Sequence, residues 1–409
     1  MKIGCRAGFA LSVLLQVAVA QFSYGQQSYP HADDPIGSVR AVYDGALFPD
    51  LAVNTYRNID RLFPSRVIQT GDRVYPLPRG DQADLTLSFQ SNGRTYDLYD
   101  YMAINRVGAM LVLKDGEIVF EKYQLGNSEQ TRWMSMSVAK TITATLIGAA
   151  IKDGLISGLD AQVTDYLPGL LGTAYEGVTV RNVLHMSSGV DWNETYTNPA
   201  SDRRRLLEAQ IAQQPGGMLE VMSQLGRAAE PGSRFNYSTG ETQVAGELLR
   251  AAVDKPLADY LSEKIWAGFG MEAPATWWLE SPDGVEVGGS GISATLRDYG
   301  RFGQLLINQG QVRGESIFPD GWVEQAYRPF VNSRGETVEY GFMVWPLEAT
   351  AGSIHEGAFS AIGIHGQFIY MNPAERVVIV VLSARSKPTG MAIIDDDDLF
   401  AAITEILKE

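Results

Sequence analysis

The 409-residue chain has a single cysteine, Cys5, and only four histidines, His31, His185, His355 and His365. With Cys5 inside the first twenty residues, the remainder cannot form disulfides, thiolate metal sites or a thiol nucleophile. No HExxH pair stands on any stretch, which removes the common zinc-hydrolase arrangement, and no GxSxG elbow or Walker A loop occurs. Positive charge is also scarce, at 33 Lys and Arg against 48 Asp and Glu, a net charge of −15. Such an acidic chain is a poor partner for nucleic acid or an anionic lipid surface. Past the leader there is no apolar run long enough to span a bilayer.

That leader is "MKIGCRAGFALSVLLQVAVA". Lys2 and Arg6 make a basic start, Ala7 to Val17 an apolar stretch, and Ala18-Val19-Ala20 a cleavage signal. A short anchor is the alternative, but about a dozen apolar residues are too few to cross comfortably. Cys5 precedes the apolar stretch, whereas a lipidated cysteine would follow it. The expectation is export of residues 21–409 to a periplasmic or extracellular setting. Losing Lys2 and Arg6 leaves 31 basic residues against 48 acidic, a net charge of −17.

Residues 21–98 read as a loop-rich N-terminal extension punctuated by "LFPSR", "PLPRG" and "SNGR". Residues 99–409 read as one domain. "VGAMLVLKDGEIVFEKY" predicts a hairpin turning at Lys114-Asp115-Gly116. "HGQFIYMN" and "VVIVVLS" predict a second, joined at Pro373–Arg376, whose last strand is apolar enough to be covered on both faces. Helical periodicity dominates between them, as in "SVAKTITATLIGAAIKDGLI" and "TGETQVAGELLRAAVD". The fold class expected is α+β: an antiparallel sheet from both chain ends (99–136 and 336–409), flanked by helices, with a helical lobe (137–335) inserted. The Asp395–Asp398 run reads as charge at a helix N-terminus, with a calcium site the alternative. "GSGISA", Gly289 to Ala294, fits a dinucleotide-loop spelling but lacks a βαβ unit. It is taken as a tight turn into a helix starting near Ser293.

What remains is Ser137-Val138-Ala139-Lys140. At i and i+3 on a helix, the serine oxygen and lysine nitrogen share a face. In the first turn the serine N–H is free and the helix dipole favours negative charge. A lysine among apolar residues has its charged form destabilised, so it can accept a proton. The alternative is a serine serving only as a helix cap, and an SxxK spelling arises by chance about once in a chain this long. Downstream, Tyr237-Ser238-Thr239 precedes an amphipathic helix. A phenol beside an ammonium group can have its pKa lowered and act as a base; a boundary aromatic is the alternative.

Together these pieces resemble the serine β-lactamase-like superfamily, in its class C and D-Ala-D-Ala carboxypeptidase branch, over about Tyr101 to Leu407. The resemblance rests on SVAK, on "DGLISGLDAQVTDYLPGLLGTAYEGVTVRNVLHMSSG", on "PGSRFNYS", on "GGSGISATLRDYGRFGQLLINQG" and on the last hairpin, with local likeness in "NTYRNIDRLFPSR". It implies Ser137 as acylated nucleophile, Lys140 and Tyr237 sharing the proton work, and the Ser137 N–H as one oxyanion donor.

Two spellings depart from the commoner family pattern. The usual Tyr-x-Asn is Tyr237-Ser238-Thr239, and no Lys/His-Thr/Ser-Gly stands in "HEGAFSAIGIHGQFIYMNP". His355-Glu356-Gly357 keeps an H-x-G spelling but lies about three residues too far from the turn. "AIGIHGQ" resembles the version in the 6-aminohexanoate-dimer hydrolase and carboxylesterase branch. That implies Ile364 N–H as second oxyanion donor and Gly363 and His365 beside the substrate, with a strand-edge role the alternative for His365. "NETYTNP" resembles that branch's substrate loop, placing Tyr196 near the leaving group. Trp192, Tyr196, Trp277 and Trp278 are candidate walls of the substrate site, although aromatics at such spacing are more often core than contact.

The resemblance implies no cofactor and no metal, and a small-molecule amide or ester as the only partner; oligomeric state is left open. A peptidoglycan D,D-peptidase or β-lactamase competes within the fold. Of a different functional class is a binding or sensor protein that acylates without turnover, or an inactive scaffold. The chain shows no obvious carboxylate-binding arginine, Arg132 and Arg234 being the candidates near motifs.

Overall fold

The computed structural model describes Met1 and residues 29–348, 350–389 and 393–408; the leader and Cys5 lie outside the described residues. The chain enters through helices α1 (Val39–Asp44) and α2 (Pro49–Tyr56) and strand β1 (Ser65–Ile68). The first hairpin pairs β2 (Val107–Lys114) with β3 (Glu117–Tyr123). Asp115 and Gly116 both take positive φ at its tip (54° and 83°), the twist that suits a two-residue turn.

Strand β4 (Arg132–Met134) leads into helix α3 (Val138–Lys152), and the lobe's second central helix is α4 (Thr239–Val253). Then come β5 (Ala275–Trp278), β6 (Ile292–Thr295) and α5 (Leu296–Ile307). The chain closes with β7 (Trp345–Pro346), β8 (Phe359–Gly363), β9 (Gln367–Asn372), β10 (Val377–Ser383) and α6 (Asp396–Ile406).

The main sheet runs β7-β8-β9-β10-β2-β3, antiparallel throughout, and is built from both chain ends. Strand β10 is buried along its whole length, which is why its sequence does not alternate. Val378, Val380 and Leu382 face one core, shared with α3, α4 and α5. Val377, Ile379 and Val381 face a second core under α6, with Leu399, Phe400 and Ile403. Asp395 caps α6 and three aspartates fill its first turn, where the dipole favours them.

A smaller antiparallel sheet, β1-β5-β6-β4, joins the lobe to the Ser137 segment. Here the structure corrects the expected helix at Ser293. That residue pairs with Met134 and Thr276 in mid-strand, and α5 starts only at Leu296, with the Thr295 side chain accepting from Asp298 N–H. Two neighbouring strands offer ladder hydrogen bonds to 292–295 that a helix would forfeit. Residues 39–68 are likewise part of the main core, contributing Val42, Tyr43, Tyr56 and Ile59; the Trp278 indole donates to the Ile59 carbonyl at 2.7 Å. Among the described residues no helix is long and apolar enough to cross a membrane.

Candidate active site

Between β4 and α3 the chain turns in three residues. Ser135 N–H donates to Ile292 O at 2.7 Å, its Oγ accepts from Ile292 N–H at 3.1 Å and donates to Met136 O at 3.1 Å. These bonds hold Met136 at φ 43°, a left-handed conformation costly for a side chain of this size. Ser137 follows at the helix entrance, yet its hydroxyl makes no capping bond. Its Oγ instead accepts from Lys140 Nζ at 3.1 Å. Of the two roles open to it in sequence, the hydroxyl is not spent on the cap.

Lys140 is fully enclosed, 1% exposed, and Nζ also donates to Gly289 O at 2.9 Å. Desolvation pulls its pKa down to about 7; the Glu194 charge pulls it up and Arg203 adds a smaller push down. Gly289 is needed for that approach: a Cβ there would stand 3.1 Å from Nζ and 2.9 Å from Thr239 Cγ2. The residue that reads in sequence as part of a tight turn thus supplies the carbonyl that seats the lysine.

The Tyr237 ring centroid lies 5.5 Å from Lys140 Nζ, and Trp345 stacks on the ring at 5.5 Å and 25°. The expected lowering of its phenol pKa is reversed. Burial raises it well above the usual value and Glu194 adds to the rise, against smaller pulls from the Ser137 hydroxyl and Arg203. A lysine that is itself half neutral near pH 7 offers little positive charge to oppose burial. Of the two groups, Lys140 is the one whose proton is held less firmly than usual, and the Tyr237 phenol the one held more firmly.

The opposite wall is the end of β8. A Cβ on Gly363 would come 2.8 Å from Ser135 O and 2.5 Å from Gln367 Oε1, so glycine lets the strand close on the Ser135–Ser137 turn. Among the described residues neither Ser137 N–H nor Ile364 N–H donates to a protein group, and Ile364 borders the cleft. His365 does not border it. It is wholly buried behind the strand, with Nδ1 at 2.9 Å from Arg385 O and 3.1 Å from the Tyr56 hydroxyl. Burial drops its pKa to about 4, so the ring is neutral and holds the turn rather than touching substrate. His355 lies farther off, against the Tyr370 hydroxyl (3.0 Å) and Asp397 O (3.2 Å). Gly363 and Ile364 border the cleft at this strand edge, and His355 and His365 do not.

The Asn193–Pro199 loop supplies the third wall. Tyr196 borders the cleft and stacks on Tyr43 at 6.4 Å. Trp192 does not; it is buried, and its indole donates to Glu194 Oε2 at 2.6 Å. Glu194, missed in the sequence, also accepts from Thr239 N–H (2.8 Å) and Thr239 Oγ1 (2.5 Å). The signal was the threonine standing where an asparagine is usual: it holds a carboxylate in the cleft. Trp277 and Trp278 are core, their indoles donating to Val287 O and Ile59 O.

The cleft has a volume of about 780 Å³, and Arg385 and Lys387 border it. The expectation that no arginine reaches the site is corrected by Arg385, which arrives from the segment after β10. Arg132 instead pairs with Asp60 at 2.7 Å, outside the cleft.

The beta-lactamase family profile matches residues 100–403. A 6-aminohexanoate-dimer hydrolase from Paenarthrobacter ureafaciens is 28% identical over 342 residues, covering 81% of this chain and 85% of its own length. A Bacillus anthracis structure assigned provisionally as a 6-aminohexanoate-dimer hydrolase superposes with a TM-score of 0.76 at 23% identity, over 91% of this chain and 96% of that one. A family VIII carboxylesterase does so with a TM-score of 0.58 at 19% identity, over 76% and 94%. These two structures share the fold. With the profile covering most of the sequence, the chain belongs to the beta-lactamase family of hydrolases.

Proposed function

We propose that this protein is an exported serine hydrolase that cleaves a small amide or ester through an acyl-enzyme on Ser137, in the manner of a 6-aminohexanoate-dimer hydrolase or a carboxylesterase. Neutral Lys140 takes the Ser137 proton as Oγ attacks the scissile carbonyl. The Ser137 and Ile364 N–H groups meet the oxygen that becomes negative. The proton leaves through the Tyr237 hydroxyl to the departing amine or alcohol, and water then enters by the reverse route to release the acid. The observation that carries this reading is Lys140: buried, poised near neutrality and hydrogen-bonded to a serine hydroxyl that caps nothing. Export rests on the leader.

The β-lactamase and D,D-peptidase alternatives are disfavoured because Thr239 offers no amide and is occupied with Glu194. The β8 edge also presents no cationic side chain, His365 facing inward. The mature protein is assayed with p-nitrophenyl acyl esters, 6-aminohexanoate dimer, a D-Ala-D-Ala peptide and a chromogenic cephalosporin. Ser137→Ala is expected to cut turnover by at least about a thousandfold. Undiminished turnover in that variant removes the mechanism; rapid cephalosporin turnover moves the substrate class; one stoichiometric burst without turnover favours a sensor.

A further inference from the structure

The loop that carries Tyr196 to the cleft is pinned at its base by the helix that follows it, Asp202–Ala212. Arg203 N–H donates to Asn193 O at 3.1 Å, Asn193 N–H to Asp202 Oδ2 at 3.0 Å, and the Ser201 hydroxyl to Thr195 O at 2.7 Å. The start of this helix holds three consecutive arginines, Arg203, Arg204 and Arg205, where the helix dipole disfavours positive charge. Two of them are compensated: Arg204 pairs with Asp44 at 2.5 Å and Arg205 with Asp202 at 2.9 Å. Arg203 is only 4% exposed, yet among the described residues it makes no ion pair.

A buried cation without a counter-charge is costly unless something else holds it. What holds Arg203 is Tyr43, on α1. The guanidinium carbon lies 4.3 Å from the Tyr43 ring centroid, and Nη2 donates to the Tyr43 hydroxyl. A desolvated cation on an aromatic face is a strong contact, so the buried ring of Tyr43 has little freedom to move. That same ring lies nearly parallel to the ring of Tyr196, at 6.4 Å and 21°. Arg204 adds a second connection: the nitrogen that binds Asp44 also donates to Tyr196 O at 3.2 Å.

The other end of α1 takes hold of a second border of the cleft. Lys387 Nζ donates to Gly45 O at 2.6 Å, and a Cβ on Gly45 would come 2.6 Å from Lys387 Cδ. Tyr196 and Lys387 both border the cleft, and neither lies in a helix or a strand, so no backbone ladder fixes either one. A six-residue helix, from a stretch that reads in sequence as loop-rich extension, is attached to both.

We propose that Tyr43, held by Arg203, is the positioning residue for Tyr196, and that α1 thereby fixes the shape of the substrate cleft. Neither Tyr43 nor Arg203 borders the cleft; both act through Tyr196. The kinetic consequence rests on the reading of Ser137 as nucleophile, whereas the packing does not.

A double-mutant cycle separates positioning from general support. The quantity measured is kcat/KM for a neutral ester, p-nitrophenyl butyrate, in wild type, Tyr43→Leu, Tyr196→Ala and the pair. Tyr43→Leu keeps apolar bulk in the core and withdraws the ring. It is expected to lower kcat/KM about threefold to tenfold in wild type, the worth of an aromatic pair. Once Tyr196 is gone, the same change should cost at most about 1.5-fold. An equal factor in both backgrounds overturns the proposal, since loss of general support does not depend on Tyr196. Should the leucine variant fail to fold, Tyr43→Phe keeps the buried ring and removes only the hydroxyl that accepts from Arg203; the same dependence on Tyr196 is expected of it. Amide hydrogen exchange reads the tie without turnover. Tyr43→Leu should speed exchange at least about tenfold in residues 193–201 while α3 keeps its wild-type rates. Unchanged exchange in that loop, or a rise shared by α3, overturns the positioning role. If wild type does not cleave the ester, the hydrolase reading fails alone, and the exchange result still decides for or against Tyr43.

Discussion

Replacing Lys140 by methionine should abolish activity and make the protein more stable. Its pKa falls from 10.5 to about 7 on folding, which corresponds to about 5 kcal/mol spent holding an ammonium group in an apolar site. The unfolded chain keeps the proton up to its ordinary pKa, whereas the folded chain keeps it only to about 7. Between those values the unfolded state binds more protons, so wild-type stability rises with pH; below about 7 the whole penalty is present. Methionine has nearly the same length and no charge. It forfeits the bond to Gly289 O at 2.9 Å, and an orphaned carbonyl costs about 1–3 kcal/mol. Lys140→Met is therefore expected to gain about 2–4 kcal/mol at neutral pH, a gain that shrinks as pH approaches the ordinary lysine pKa. Urea unfolding of both proteins across that range measures it. A variant less stable than wild type by an amount that does not change with pH would refute the assignment of Lys140 as a buried, proton-shedding base.

The same group sets the activity profile: kcat/KM for a neutral ester should fall about tenfold per unit as pH drops below about 7, because the base is then protonated. Glu194→Gln keeps the shape of the loop but removes a charge that favours the ammonium, so the acid limb should move to lower pH; a stationary or upward-moving limb contradicts this. Gly289→Ala puts a methyl group 3.1 Å from Lys140 Nζ and 2.9 Å from Thr239 Cγ2. It should cut kcat by about 10–100-fold with little change in KM, since displacement of a reacting group by a fraction of an ångström suffices; wild-type kcat would show that the seat is not needed.

Legibility in the sequence followed the distance over which each feature is made. Both hairpins are readable because the turn and its two β-branched, apolar arms lie within about twenty residues of chain. Ser137 and Lys140 were readable because one helical turn brings them together, and the apolar run around them announces the burial that moves the lysine pKa. Gly289 was seen only as a turn, since its use lies in a carbonyl aimed at a lysine 149 residues away. Arg385 and Lys387 carry no local signature, and Glu194 is signalled only through Thr239, 45 residues away; the fold brings all three to one cleft. His365 shows the converse. Its neighbours placed it beside the substrate, but a side chain at a strand end points to either face, and Tyr56 waits on the buried one.

The strand pairing at the centre of the main sheet also sets an order of events during synthesis. β2 finds its inner partner only in β10, with Val377 opposite Lys114 and Leu382 opposite Ala109. A nascent chain that has emerged only as far as Tyr237 holds the serine, the lysine and the phenol, but not the edge that bears Ile364. Nor can it close the sheet, so competence to hydrolyse arrives with the last thirty or so residues rather than growing in steps. On the export proposed above, translocation of an unfolded chain and silence of the hydrolase before release become one and the same condition.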